Sequence, residues 1–272
     1  DRFYMEWKER LKTPITGGLI AGSYAPQESD RILEGERVFY TPENARIIDT
    51  ACAFIAELPR PMQKYFLAPL LYEASVHVNT GGVFKGFYKD VRTGRGKFGG
   101  TAENALPRIM GRIELRPPVF SNFRSELILT QDDANRQIGR LPEVDLLYLD
   151  PPYNQHPYGS NYFMLNVIAA GQITAPVSPV SGIPSDWNRS VYNQRKKAAT
   201  ALKLLIEQAQ AKFIIISYNS EGFIGKAEMQ EMLQPFGNLK TVEIKYNTYR
   251  AARNLSSRSA HVREYLFVLK KD

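Results

Sequence analysis

The sequence predicts an α/β protein: a largely parallel sheet whose carboxyl-terminal strands turn antiparallel, preceded by a helical region. Three observations carry this. Two apolar runs, Val144-Asp-Leu-Leu-Tyr-Leu149 and Lys212-Phe-Ile-Ile-Ile-Ser217, are separated by a helical pattern over Lys196 to Gln210, the arrangement that joins parallel strands by a right-handed crossover. Two further β-rich runs, Thr241 to Tyr246 and Glu264 to Lys270, have no helical pattern between them and can pair antiparallel. Before residue 80, apolar residues recur at spacings of three and four.

In chain order, an amino-terminal helix of about a dozen residues leads into a loop holding Pro14, Gly17, Gly18, Gly22 and Pro26. At Thr41-Pro-Glu-Asn44 a helix starts, with Thr as N-cap and Pro at the first helical position, and Ile47, Ile48, Ala51, Phe54, Ile55 and Leu58 line one face up to Pro59. Phe66, Leu70, Ala74 and Val78 mark a second helix over Tyr65 to Val78, interrupted by Pro69, so 41–78 reads as a helical hairpin. Between Asn79 and Gly100, glycines alternate with Lys85, Lys89, Arg92, Arg95 and Lys97 and with Phe84, Phe87, Tyr88 and Phe98, a mobile or ligand-shaped stretch. A strand near Glu126 to Thr130, a short helix at Asp133 to Ile138 and a helix at Lys226 to Gln234 complete the pattern. The pattern divides the chain into a helical and basic-loop region, 1–110, and an α/β region, 111–272.

Lys and Arg number 35 against 28 Asp and Glu, a net charge of +7, which favours a polyanionic partner. The single cysteine, Cys52, excludes an intramolecular disulfide and a cysteine-based zinc or iron–sulfur site, and with only His77, His156 and His261 no imidazole metal cluster is expected. No apolar run reaches the roughly 18 residues that span a bilayer, and the amino end lacks the build of a signal peptide. A soluble protein of a reducing, intracellular compartment is expected. Because the chain starts at Asp1 rather than Met, residue 1 is read as an internal position of a longer product.

The chemistry sits in Asp150-Pro151-Pro152-Tyr153, directly after an apolar strand. Ligands of open α/β sheets bind beyond the carboxyl ends of the strands. Each proline fixes its own φ and Pro152 restricts Pro151, so the turn presents Asp150, the Pro151 carbonyl and the Tyr153 ring with little freedom left to lose. That set suits an amino group on an aromatic ring, whose delocalised lone pair makes it a poor nucleophile. A carboxylate and a carbonyl accepting its two N–H bonds stabilise the positive charge that develops as nitrogen attacks a methyl group. A stacked ring contributes about 1–3 kcal/mol per base, comparable to the cost of drawing a base out of a duplex. The bland alternative is a strand-terminal turn with a capping Asp.

These residues resemble the DNA adenine-N6 methyltransferases, which carry Asp-Pro-Pro-Tyr after a parallel strand and use S-adenosylmethionine. The likeness extends over Asp150 to Leu165, Thr41-Pro-Glu-Asn-Ala45, Asn79-Thr-Gly-Gly-Val-Phe84 and Ile216-Ser-Tyr-Asn-Ser-Glu-Gly222, which look like restriction–modification methylases. The resemblance implies a partial Rossmann-like class I methyltransferase sheet, an amine-activating site of Asp150, Pro151, Pro152 and Tyr153, and double-stranded DNA as partner. It makes 1–110 the DNA-recognition region, 111–272 the catalytic one, and the setting a prokaryotic cytoplasm. Gln131-Asp-Asp-Ala134 is similar to the segment contacting the cofactor adenine, with Asp133 the contact beside Ala134 and with Asp150 adjoining.

The family also has a Phe-x-Gly-type loop and an acidic strand end that bind the cofactor's methionine and ribose. No segment here fits: Gly17-Gly18 and Gly81-Gly82 follow no apolar strand, and Gly94 and Gly96 lie among basic residues. Those elements are expected before Asp1 or on a second polypeptide, which leaves residues 1–272 alone with weak or absent activity. The basic glycine-rich stretch is expected to track phosphates while its rings wedge or stack. A second basic run, with Arg250 and Arg253, is expected near the flipped base. Ser217-Tyr-Asn219 either shapes the base pocket or simply ends a strand, and Tyr158 and Tyr162 either close over the site or pack. Two other functions stay open: methylation of guanine N2 in RNA, and a non-catalytic DNA-recognition subunit of a split methyltransferase.

Overall fold

The computed structural model describes residues 2–100, 103–247 and 261–272. Five helices come first: α1 (Arg2–Arg10), α2 (Leu19–Tyr24), α3 (Pro42–Glu57), α4 (Arg60–Val76) and α5 (Leu106–Met110). Then follow α6 (Ala134–Ile138), β1 (Val144–Leu149), α7 (Tyr158–Asn161) and α8 (Phe163–Ala170). The chain continues through α9 (Arg195–Gln208), β2 (Ala211–Asn219), α10 (Lys226–Leu233), β3 (Gly237–Asn247) and β4 (His261–Lys271). The chain divides into two compact units, Asp1–Arg124 with Gly159–Trp187, and Ser125–Tyr158 with Asn188–Asp272.

The first unit is built on α3 and α4. Thr41 caps α3 as its sequence predicts, its hydroxyl accepting from the Asn44 amide at 3.1 Å. Helix α4 begins five residues before the expected Tyr65, because Pro61 lies in the first turn, where the N–H it lacks has no intrahelical acceptor. Trp7 of α1 packs against Phe54 and Phe66 at ring separations of 6.3 and 4.7 Å. Helix α2 forms where a loop is expected. Its first amides, Ile20 and Ala21, donate to the two carboxylate oxygens of Asp49 on α3 at 2.9 and 2.8 Å, a cap no local pattern announces. Gly18 permits this approach, since a Cβ there would stand 2.3 Å from the Asp49 carboxyl carbon.

The glycine-rich stretch is pinned rather than loose. Buried Asn79 donates to the carbonyls of Val38 and Lys97 at 2.8 and 3.0 Å and accepts from the Gly99 amide at 3.1 Å. Asp90 closes the tip by accepting from the amides of Arg92 and Thr93. Gly94 turns there at a φ of 71°, in the left-handed region that favours glycine. Phe84, Phe87 and Phe98 are buried in the core of the first unit, which overturns the expectation that they wedge between bases.

In the second unit the sheet runs β1-β2-β4-β3. β1 and β2 are parallel, with Leu149 opposite Ile216, so Asp150 leaves the sheet beside Ser217, while β2 runs on along β4 to Asn219. The carboxyl-terminal strands are antiparallel as expected, and β4 lies between β2 and β3, antiparallel to both. Among the described residues one of the three pairings is therefore parallel, fewer than a largely parallel sheet requires. Ala201, Leu202, Leu205 and Ile206 put the apolar face of α9 into one core with Ile214, Ile216, Phe267 and Leu269 of the sheet. No strand forms at Glu126 to Thr130: Leu127, Ile128 and Leu129 are each at least 76% exposed, and among the described residues nothing pairs with them. An apolar run becomes a strand only when a neighbour accepts its ladder.

Candidate active site

Beyond the end of β1, a concavity of about 610 Å³ lies within the second unit. That is inside the roughly 300–1,000 Å³ usual for small-molecule sites. Asp150, Pro151 and Pro152 line one side, and Asp133 and Ala134 line another, so five of the residues expected to act on amine and cofactor meet in one hollow. The Asp150 side chain is exposed, and among the described residues no hydrogen bond or ion pair occupies its carboxylate.

A half-buried relay ties the Asp133 side to α9 and to Tyr192 on the wall of the hollow. Asn135 of α6 donates to the Ala201 carbonyl of α9 at 2.7 Å and accepts from the Tyr192 hydroxyl at 2.7 Å. Burial pushes the Tyr192 hydroxyl well above the ordinary tyrosine range, so it stays a proton donor. Asp133 caps α6 by accepting from the Arg136 amide at 3.1 Å. A carboxylate has about four acceptor positions, so this cap leaves capacity for a ligand's exocyclic amine. Asp132 is engaged by Arg136 and Arg140 instead. On geometry and donor chemistry the hollow fits the adenosine end of S-adenosylmethionine.

Tyr153 does not line this hollow. Its ring meets Tyr218 edge-on at 6.3 Å, and its carbonyl accepts from the Phe223 amide at 2.9 Å. Tyr218 is buried and backs the turn through Tyr153, whereas Asn219 is spent on Glu264 and the Glu221 amide, at 2.6 and 2.8 Å, and ends β2. Sequence reading missed Asn193, whose side-chain amide donates to the Asn154 carbonyl at 2.9 Å and ties the turn to the start of α9. Its only local signal is the Ser190 capping box in which it takes part.

The basic candidates in the first unit have mixed settings. Arg92 and Arg95 are exposed, Arg95 standing 4.0 Å from Glu34. Lys97 pairs with Glu103 at 2.6 Å, Lys89 lies over the Phe87 ring at 5.3 Å, and Lys85 is half-buried, its ammonium held below the ordinary lysine range by burial. Tyr162 packs edge-on against Phe84 at 6.2 Å, and Tyr158 is exposed. His77 is held by the Arg108 carbonyl and Glu73 at 2.7 and 3.3 Å, a structural role. Arg250 and Arg253 lie outside the described residues.

Residues 42–232 match the family model of the D12 class N6 adenine-specific DNA methyltransferases. The chain belongs to this family. It is 29% identical over 244 residues to the type II methyltransferase M.NlaIII of Neisseria lactamica, covering 87% of this chain and 68% of that one. It is 26% identical over 260 residues to M.CviAII of Paramecium bursaria Chlorella virus 1, covering 94% of this chain and 71% of the relative. With M.FokI of Planomicrobium okeanokoites the identity is 28%, but the chain spans only 35% of that longer protein. No solved structure matches it. Adenine-specific DNA methylation by the family displaces the RNA guanine reading. Among the described residues no helix is long and apolar enough to cross a membrane.

Proposed function

We propose that this chain carries the amine-activating half of a restriction–modification methyltransferase that moves a methyl group from S-adenosylmethionine to N6 of an adenine extruded from double-stranded DNA in a prokaryotic cytoplasm. The observation that carries the reading is the meeting of Asp150, Pro151 and Pro152 with Asp133 in one hollow at the sheet rim. When bound, the cofactor supplies an electrophilic methyl on a sulfonium sulfur. Asp150 and the Pro151 carbonyl each accept one N–H of the adenine amine, which localises the lone pair and offsets the positive charge growing on nitrogen. Methylation at N6 would leave a surplus proton on nitrogen, which Asp150 and solvent would take up. Pro151 and Pro152 keep this pair of acceptors in place without further ordering. Tyr153, backed by Tyr218, offers the flipped ring an aromatic neighbour.

Asp133 and Ala134 are assigned to the cofactor adenine. Residues 1–110 are assigned to DNA recognition, with Arg92 and Arg95 ready for phosphates, Lys85 and Lys89 beside them, and Lys97 available once it leaves Glu103. Arg250 and Arg253 join them in this proposal. The cofactor's methionine and ribose are held by elements outside these 272 residues, on the same product or on a second polypeptide. Supporting this, Leu146 and Tyr148 of β1 are 55% and 57% exposed, and among the described residues β1 pairs with β2 alone. An open edge of that kind is ordinarily covered.

The test is Asp150→Ala in the enzyme completed by those elements. Methyl transfer from labelled cofactor to DNA is expected to fall at least about a hundredfold, as when one preorganised charge-stabilising group is removed. DNA affinity should change less than about twofold, because Asp150 contributes no positive charge to phosphate binding. Undiminished turnover would remove the assignment.

A further inference from the structure

A second concavity of about 690 Å³ in the same unit lies beside the first and has a different character. Arg189, Arg195, Lys196 and Lys197 line it with Asn193 and Phe223, and no carboxylate is among its lining residues. All four cations are exposed, and among the described residues none forms an ion pair. Three of them occupy the first turn of α9, which has no acidic residue there and no basic residue in its last turn. This reverses the usual order, since the amino end of a helix carries partial positive charge and favours anions. A helix that opens on Arg-Lys-Lys opposes its own dipole unless an anion is to be held there.

Phe223 lines the cleft, with the Arg195 guanidinium 5.0 Å from its ring centroid. Its amide is the one bound to the Tyr153 carbonyl, and Asn193 is bound to the Asn154 carbonyl. Two walls of the basic cleft are thus hydrogen-bonded to the Asp150–Tyr153 turn and the residue after it. Arg189 lines both hollows.

We infer that this cleft is a binding site for the phosphodiester backbone of the DNA strand next to the target nucleotide, with Arg189, Arg195, Lys196 and Lys197 as phosphate ligands. The inference rests on the reading of the chain as a DNA adenine methyltransferase and adds where the strand is gripped. The cleft's ties to the turn fix the offset between a held phosphate and Asp150, so gripping the backbone positions the base.

The experiment measures binding of a labelled duplex to the full chain at several salt concentrations. It compares wild type, the triple variant Arg195→Gln, Lys196→Gln, Lys197→Gln, and a charge-matched control, Lys203→Gln, Lys240→Gln, Lys270→Gln, whose lysines are exposed elsewhere in the unit. The cleft variant is expected to bind at least about tenfold more weakly, with the salt slope reduced by about 3, one for each phosphate that is no longer neutralised. The control should stay within about threefold of wild type, since its charges lie away from the gripped strand. Equal weakening in both variants, or a cleft variant with unchanged slope, overturns the cleft while leaving DNA binding by the chain intact. A wild-type chain without affinity for DNA overturns both the cleft and the functional reading. Circular dichroism of each variant separates misfolding from weakened phosphate binding. Should the triple variant misfold, Lys196→Gln alone is expected to lower the slope by about 1, an unchanged slope again overturning the cleft.

Discussion

In the first unit Trp7, Phe54 and Phe66 are almost completely sealed, and even the polar atoms of Asp49 and Asn79 are used up inside it. In the second, Leu146 and Tyr148 of the edge strand and Leu127 to Leu129 before it stand largely in solvent. The first unit has closed its aromatic packing on itself, at the cost of leaving the buried Trp7 indole N–H without an acceptor, whereas the second keeps a sheet edge and an uncommitted carboxylate near each other. Packing is most complete in the first unit, and the methyl-transfer chemistry is assigned where burial is incomplete.

The comparison breaks most readily at Phe54. Replacing it with Ala should cost about 3–5 kcal/mol in urea denaturation, because the ring fills space between Trp7 and Phe66. Asp49→Asn is the next largest effect, about 1–3 kcal/mol, since one of the two amides it caps loses its acceptor. That cost should depend on pH. Burial raises the Asp49 carboxyl above its ordinary 3.8, against the lowering effect of the backbone amides. A raised native pKa stabilises the fold below the unfolded value and loses that contribution as pH climbs through the native one. The difference between wild type and Asp49→Asn is therefore expected to shrink as pH rises from below 3.8 to neutrality; growth of the difference would reverse the assigned sign. The smallest effect is Tyr148→Ser, about 0.5 kcal/mol or less, as for an exposed position without partners. A cost near that of Phe54→Ala would show that β1 is covered in solution by something outside the described residues.

The sequence was most legible where structure is local. The Thr41 cap, the period of α3, the α9–β2 crossover and the Asp150 turn are each written within a few neighbouring residues. Long-range pairing was not: Asp49 caps α2 from 29 residues away in the chain, and Asn79 gathers carbonyls from Val38 and Lys97. The glycine-rich stretch misled because glycine suggests mobility, whereas here Asn79 and Asp90 supply the order and the phenylalanines anchor it. At the site, residue types pointed to Asp150, and only the family resemblance pointed to Asp133. The basic turn of α9 went unread as a cleft because its cations look like an ordinary solvated helix start until Phe223 and Asn193 are seen joining it to the turn.

The insertion of β4 between β2 and β3 has a consequence for how the second unit comes into being. Residues His261–Lys271 supply hydrogen bonds on both flanks of that strand, so a nascent chain that has emerged only through β3 holds two disconnected pieces of sheet. The rim that carries Asp150 can gain its final rigidity only after synthesis has passed that last strand, and a truncation upstream of it would uncouple β3 from the other strands at a stroke, leaving it tied to α10 by Lys226–Glu243 and Gln230–Thr241.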